Sequence, residues 1–274
     1  MKRRTRTITI LVIITLIVLS VVYLLPIYVM LVASLKTPAE ITQRQYLVPS
    51  PRPYIQNYVE AFRLVNDALK NSILISFTVT FLAVFFGGLG GYWLSRSRSP
   101  FAKVLFILVG IALYLPYQVV LIPLVQIMAK TKLALTYMGL ILSYLVLNLP
   151  LASVLMGTFF LGMPRELEEA AEVDGANKLQ TFFYVITPMA LPAYASTAII
   201  VFTQVWNEFL LALTLSTPNT TTVQVKLAEV KGSFVALYNL QMAAALMSVL
   251  IPLVFFLALG RYFIRGILAG ALKG

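Results

Sequence analysis

The chain has 274 residues, 60% hydrophobic and only 11% charged, with a mean hydropathy of +0.90. A soluble domain is about 45–50% apolar and about 25% charged, so the composition excludes an ordinary water-soluble globule. The formal charge of +11 comes from basic residues lying between apolar runs, which reads as membrane topology and not as nucleic-acid binding.

Residues 7–35, 71–95, 104–129, 133–164, 179–207 and 232–260 contain no Asp, Glu, Lys or Arg. Each run exceeds the roughly 20 residues that an apolar helix needs to cross hydrocarbon. None alternates with period 2, so a barrel is set aside. The expected fold is all-α, a polytopic bundle of six transmembrane helices over 8–34, 71–95, 104–129, 137–162, 188–215 and 242–262. Residues 1–70 then hold the first helix and an outer loop, 71–262 a five-helix domain, and 263–274 a cytoplasmic tail. Histidine and cysteine are absent, which removes the commonest general base and metal ligand and any disulfide.

Lys2, Arg3, Arg4 and Arg6 precede the apolar stretch Ile8–Ala33. A secretory signal has an apolar region of only about 7–15 residues. This stretch reaches about 39 Å at ~1.5 Å per residue, so it reads as a retained helix with its basic end in the cytoplasm. Six spans return the C-terminus to the same side. Inside segments then hold 12 Lys and Arg and outside segments 9, a bias of the right sign. In the outer loop, Pro38, Pro49, Pro51 and Pro53 predict extended or turning chain. Tyr58, Ala61, Phe62 and Val65 share one helical face, which predicts an interfacial helix over 54–69. Gly87 and Gly91 have the GxxxG spacing of closely packed helices, and Tyr92 and Trp93 suit an interfacial aromatic belt.

Five of the ten acidic residues fall in one window: Glu166, Glu168, Glu169, Glu172 and Asp174. Pro164 suits a first helical turn, and Glu166 and Glu168 favour the dipole there. Leu167, Ala170 and Ala171 form a small apolar strip. Gly175 suits a C-terminal stop, and a second helical stretch, Lys178–Val185, leads to Pro188 and Pro192. An alanine-faced helix with an acidic flank can dock into a partner's groove; a solvated loop helix is the plainer alternative.

The run Glu169–Ala170–Ala171–(x)2–Asp174–Gly175–Ala176, continuing through Ile186, Pro188 and Pro192, resembles the EAA loop of ABC transporter permeases. Ser34–Leu35–Lys36, the stretch from Leu135 to Leu140, Trp206–Asn207–Glu208–Phe209–Leu210 and the tail from Arg261 to Gly274 resemble the carbohydrate-uptake, maltose-permease-like branch. Two departures stand out: Thr187 where the family usually has Leu, and Lys132 where Gly is usual. The resemblance implies the type I ABC importer transmembrane fold over 71–262, with an EAA coupling loop at 163–187. Glu169, Ala170, Ala171, Asp174 and Gly175 would then dock into a cytoplasmic ATPase subunit. It implies as partners an ATPase dimer, an extracytoplasmic solute-binding protein and a second, homologous permease, all at the cell membrane and without nucleic acid. The chain lacks a GxxxxGK[ST] run, so ATP and Mg are expected on the separate ATPase. No cofactor, metal or catalytic residue is expected in this chain.

An ionisable group inside a span is a functional candidate by default, and Glu208 is the deepest one. Gln204, Asn207 and Glu208 share a helical face beside Trp206, Tyr144 and Asn148 lie on the fourth span, and Tyr117 lies in the third. Amides and carboxylates hydrogen-bond sugar hydroxyls and aromatic faces stack on pyranoses, so these seven residues are the candidate substrate pathway. Interhelical hydrogen bonding is the alternative, at about 0.6 kcal/mol per pair. In paired permeases of the family the main substrate contacts can fall on the other subunit. The expected function is thus a sugar-importing permease subunit working by alternating access. The rival is an ion-gradient-driven carrier of a small polar solute, which should show inverted repeats and mid-membrane ion ligands.

Overall fold

The structure is a computed structural model describing residues 2–43, 46–231 and 237–271, with side chains described for 9–43, 46–230 and 237–262. In chain order the helices are α1 (Lys2–Ser34), α2 (Pro38–Thr42), α3 (Gln56–Arg96), α4 (Pro100–Ala112), α5 (Gln118–Lys130), α6 (Tyr137–Leu161) and α7 (Glu166–Val173). Then come α8 (Lys178–Gln180), a π-helical segment (Thr181–Ile186), α9 (Thr187–Met189), α10 (Leu191–Asn207), α11 (Leu210–Leu215), α12 (Val223–Lys231) and α13 (Tyr238–Ala271). Residues 272–274 of the expected tail lie outside the described residues.

Thr9–Ser34, Gln56–Arg96, Tyr137–Leu161 and Tyr238–Tyr262 are each long and apolar enough to cross a membrane. The chain from Lys178 through Asn207 passes that test as a pair of helices bent by 76°. The bend falls at Ala190, between Pro188 and Pro192, where missing N–H groups interrupt the helical ladder.

Three expected elements differ from the observed ones. The span over 104–129 is two shorter apolar helices, α4 and α5. Pro116 disfavours helical backbone at Leu115, and the chain turns there through Leu115 N–H donating to Ala112 O at 3.2 Å. The span over 188–215 breaks at Glu208, whose backbone is extended at φ −70°, ψ 132°. The interfacial helix over 54–69 is instead the beginning of α3, a single 41-residue helix. Its buried face is Asn57, Ala61 and Val65, while Phe62 is exposed.

The chain divides into two compact units, Met1–Asn66 with Lys226–Val249, and Asp67–Val225 with Leu250–Gly274. In the first, the apolar side chains of α1 from Ile10 to Leu25 are exposed, and its end at Val32–Ser34 is buried. Asn57, fully buried, organises that end. Its Nδ2 donates to Ser34 O and Lys36 O, each at 2.8 Å, and its Oδ1 accepts from Asn239 Nδ2 at 2.8 Å. One amide thus satisfies the terminal carbonyl of α1, which lacks an intrahelical partner, and a carbonyl in the turn that follows it. Thr37 and Glu40 form a capping box on α2, and the buried Lys36 ammonium lies 3.8 Å from Glu40.

The core of the second unit joins Ile75, Val79 and Ala83 of α3 to Leu140, Tyr144 and Ala152 of α6, and to Val201 and Val205 of α10. Gly87 and Gly91 do hold α3 close to α6. A Cβ on Gly87 would stand 2.6 Å from Ala152 Cβ, and one on Gly91 2.5 Å from Ser153 O. A second cluster of Met156, Phe160, Phe182, Ile186 and Ala190 lies next to the acidic loop.

Candidate functional site

The acidic loop is a rigid knob. Glu166, Glu168 and Glu169 occupy the first turn of α7, where unpaired N–H groups favour negative charge. The helix ends in a Schellman motif. Gly175 has φ +86°, its N–H donates to Glu172 O at 3.0 Å, and Ala176 N–H donates to Ala171 O at 2.9 Å. A left-handed residue here asks for glycine. Asn177 and Gln180 then form a capping box, so the chain from Glu166 to Gln180 has little freedom.

The apolar strip splits between two faces. Leu167 packs on the Phe160 cluster and Ala171 is buried, so Ala171 anchors the knob and does not belong to its outer surface. Glu169, Ala170, Asp174 and Gly175 are exposed. Val173, which the spacing did not single out, is 87% exposed and adds an apolar contact to that surface. Glu168 is withdrawn: its carboxylate lies 2.7 Å from Arg96 Nε at the end of α3. Arg96 Nη2 also donates to Met163 O at 3.0 Å, and Tyr92 packs edge-on against Phe160. The knob is therefore fastened to α3 and α6, with five residues of its outer face free of that packing.

Glu208 sits in the break between α10 and α11, and its carboxylate accepts four hydrogen bonds. Tyr117 Oη donates to Oε1 at 2.9 Å and Tyr144 Oη to Oε2 at 2.8 Å. Leu211 N–H donates to Oε1 at 2.8 Å and Ala212 N–H to Oε2 at 3.1 Å. The group thus caps α11 and ties together the two broken spans and α6. An ionised carboxylate is acceptor-only with about four lone-pair sites, and all are used.

This knot changes the expected pathway. Tyr144 is 1% exposed and Asn148 6%, and Asn148 Nδ2 bonds back to Tyr144 O at 2.8 Å. Trp206 is 2% exposed and stacks on Phe202 with centroids 5.6 Å apart, so it is core and lines no open path. Of the seven pathway candidates, Gln204 and Asn207 have exposed side chains. Asn207 Nδ2 donates to Thr203 O at 3.0 Å, and Gln224 Nε2 reaches Asn207 Oδ1 at 3.4 Å. Gln224 escaped the sequence reading because it lies outside every apolar run.

Comparison with known proteins agrees with this architecture. Residues 83–269 match the family described as the binding-protein-dependent transport system inner membrane component. The chain is 33% identical over 260 residues to the glucose import system permease protein GlcU of Saccharolobus solfataricus, covering 92% of this chain and 91% of that one. It is 36% identical over 259 residues to the trehalose transport system permease protein SugB of Mycobacterium tuberculosis, covering 92% and 93%. Among solved structures, a bacterial ABC transporter involved in import of the acidic polysaccharide alginate superposes with a TM-score of 0.80. That likeness has 22% identity and covers 95% of this chain and 98% of the other, and it shows the ABC importer transmembrane fold. These matches set aside the ion-gradient-driven carrier and identify a transport component in place of a catalytic subunit. The chain is a multi-pass membrane protein and belongs to the family of binding-protein-dependent transport system inner membrane components.

Proposed function

We propose that this chain is a permease subunit of an ATP-driven importer that moves a sugar into the cell by alternating access. The observation that carries the reading is the α7 knob. It presents Glu169, Ala170, Asp174 and Gly175 outward on a backbone locked by a Schellman turn and a capping box. In this reading the knob seats in a cleft on a cytoplasmic ATPase dimer, which holds the ATP and Mg. Closure of that dimer pushes the knob, and the Arg96–Glu168 pair passes the push to α3.

The same reading places both chain ends in the cytoplasm, residues 71–262 as the type I transmembrane domain and 263–274 as a tail. A homologous second permease completes the pore, and an external solute-binding protein delivers the cargo. Sugar as cargo is supported by relatives named for glucose import and trehalose transport. Of the seven pathway candidates, Gln204 and Asn207 are those with exposed amides suited to sugar hydroxyls.

The test is a photocrosslinker placed at Ala170, an exposed position that anchors nothing, in cells in which uptake is active. Capture of a nucleotide hydrolase supports the docking role. Efficient crosslinking to lipid or to unrelated chains, with no hydrolase captured while uptake continues, refutes it.

A further inference from the structure

We propose that the groove between α3, α10 and α13 binds one acyl chain of an anionic phospholipid, with Arg261 receiving its headgroup. The cavity has a volume of about 430 Å³, within the ~300–1,000 Å³ range of ligand-sized clefts. Phe81 and Phe85 of α3, stacked with centroids 6.1 Å apart, form one wall. Ala195 and Ala198 of α10 create the hollow by their small size, and Leu259 and Tyr262 of α13 form the other wall.

The lining is almost wholly apolar, so a sugar there would leave its hydroxyls without partners. An acyl chain has no polar atom to satisfy and gains by burial. Charge then selects the class of lipid. Arg261 is exposed and immediately precedes the lining residue Tyr262. Its Nη2 donates to Tyr262 Oη at 3.0 Å and its guanidinium lies 4.8 Å from the Tyr262 ring centroid. The phenol thereby holds a cation beside the groove wall. Arg261 is the first charge after the run 232–260, which holds no Asp, Glu, Lys or Arg, and a cation closing an apolar run sits at headgroup depth. A guanidinium binds phosphate with bidentate geometry, so a phosphodiester with net negative charge fits beside Arg261 and its chain fits the hollow.

The experiment uses the full chain, with whatever subunits co-purify, in nanodiscs of equal phosphatidylglycerol and phosphatidylcholine, read by native mass spectrometry. Wild-type protein retains phosphatidylglycerol over phosphatidylcholine by about fivefold, the worth of one arginine at an anionic surface. Arg261→Gln brings the two lipids to equal retention. Ala198→Phe fills the hollow and loses both. Gly88→Ala does so indirectly, because its Cβ would stand 2.5 Å from Tyr194 Oη and drive that ring into the groove. Should the alanine and phenylalanine variants misfold, wild-type protein labelled by phosphatidylglycerol with a photoreactive acyl chain gives the answer. Labels on α3, α10 and α13 support the site. Labels only elsewhere, an unchanged lipid preference in Arg261→Gln, or a partner protein crosslinked from position 198 each overturn it.

Discussion

Arg96 Nε, in the last turn of α3, lies 2.7 Å from Glu168 Oε1 in the first turn of α7. The side chains are 9% and 18% exposed, so neither charge is well solvated when its partner is removed. Breaking a buried pair from one side costs about 3–5 kcal/mol; with Glu168 partly solvated, Glu168→Gln is expected near 3 kcal/mol or below. Because the pair fastens the knob to a spanning helix, its loss should also lower transport more than ATP hydrolysis in the assembled importer. Thermal unfolding in detergent and a transport-to-hydrolysis ratio check both. The exchanged double variant, Arg96→Glu with Glu168→Arg, should recover part of each; no recovery would deny a direct pairing.

The knob offers a separation of packing from docking. Ala171 is buried, so Ala171→Asp places an unpaired carboxylate against the π-helical segment and destabilises the loop itself. Ala170 is exposed, so Ala170→Asp should leave the unfolding midpoint unchanged and uncouple hydrolysis from uptake. Gly175→Val combines a left-handed backbone position at φ +86° with a β-branched side chain, at about 1–2 kcal/mol. Normal coupling in Ala170→Asp, measured as sugar taken up per ATP hydrolysed, would remove this face from the ATPase contact.

Glu208→Gln exchanges an acceptor-only group for one with two N–H donors. Four donors converge on the carboxylate, and at least one of them must then face an amide N–H. The expected loss is about 2–3 kcal/mol, as for hydrogen bonds to a charged group. Tyr117→Phe and Tyr144→Phe should each cost about 1 kcal/mol. Added to Glu208→Gln they should cost less than they do alone, because the partner is already impaired. Additive losses in thermal unfolding would contradict a shared carboxylate.

What the sequence made visible was local. Tyr137–Leu161 is one residue shorter than the span expected over 137–162, because the apolar run is bounded by the Thr136 cap and by Gly162. The Gly175 stop and the Gly87–Gly91 approach were legible because only glycine has those properties. The rest depends on partners distant in the chain. Glu208 showed itself as an expensive acid in a span, and its Leu211 and Ala212 donors are one turn away, but the other two, Tyr117 and Tyr144, lie 91 and 64 residues off. Asn57 and Asn239 are 182 residues apart. The break at 113–117 had a signal in Pro116, outweighed by an uninterrupted apolar run that read as one span. Trp206, placed by its neighbours on a polar face, turned inward because an indole packed against Phe202 buries more apolar area than it would in an open path.

Lys132 has φ +60°, in the turn where the resembling family usually carries glycine. An L-residue with a side chain pays about 1–2 kcal/mol in that region, while glycine loses more backbone entropy on folding, roughly 0.5–1 kcal/mol. Lys132→Gly is therefore expected to stabilise by up to about 1 kcal/mol. A rise in unfolding midpoint in detergent checks this, with Gln126→Gly, exposed and inside α5, as the destabilising control.

Glu40 gives the fold a pH dependence outside the membrane. The Thr37 backbone N–H donates to its carboxylate at 2.8 Å, and this bond, aided by the Ser50 hydroxyl and the Lys36 ammonium, holds its pKa below the ordinary 4.5. A depressed carboxylate pKa means that the unfolded chain binds its proton first as pH falls. The stabilisation is therefore fully present above about pH 4.5 and is lost as the pH drops from there through the lowered value. Glu40→Gln should remove this contribution and flatten the dependence of the unfolding midpoint between neutral and acid pH. The buried Lys36, left without its anion, should make the variant less stable than wild type at pH 7. An unaltered slope in Glu40→Gln would show that other carboxylates govern acid unfolding.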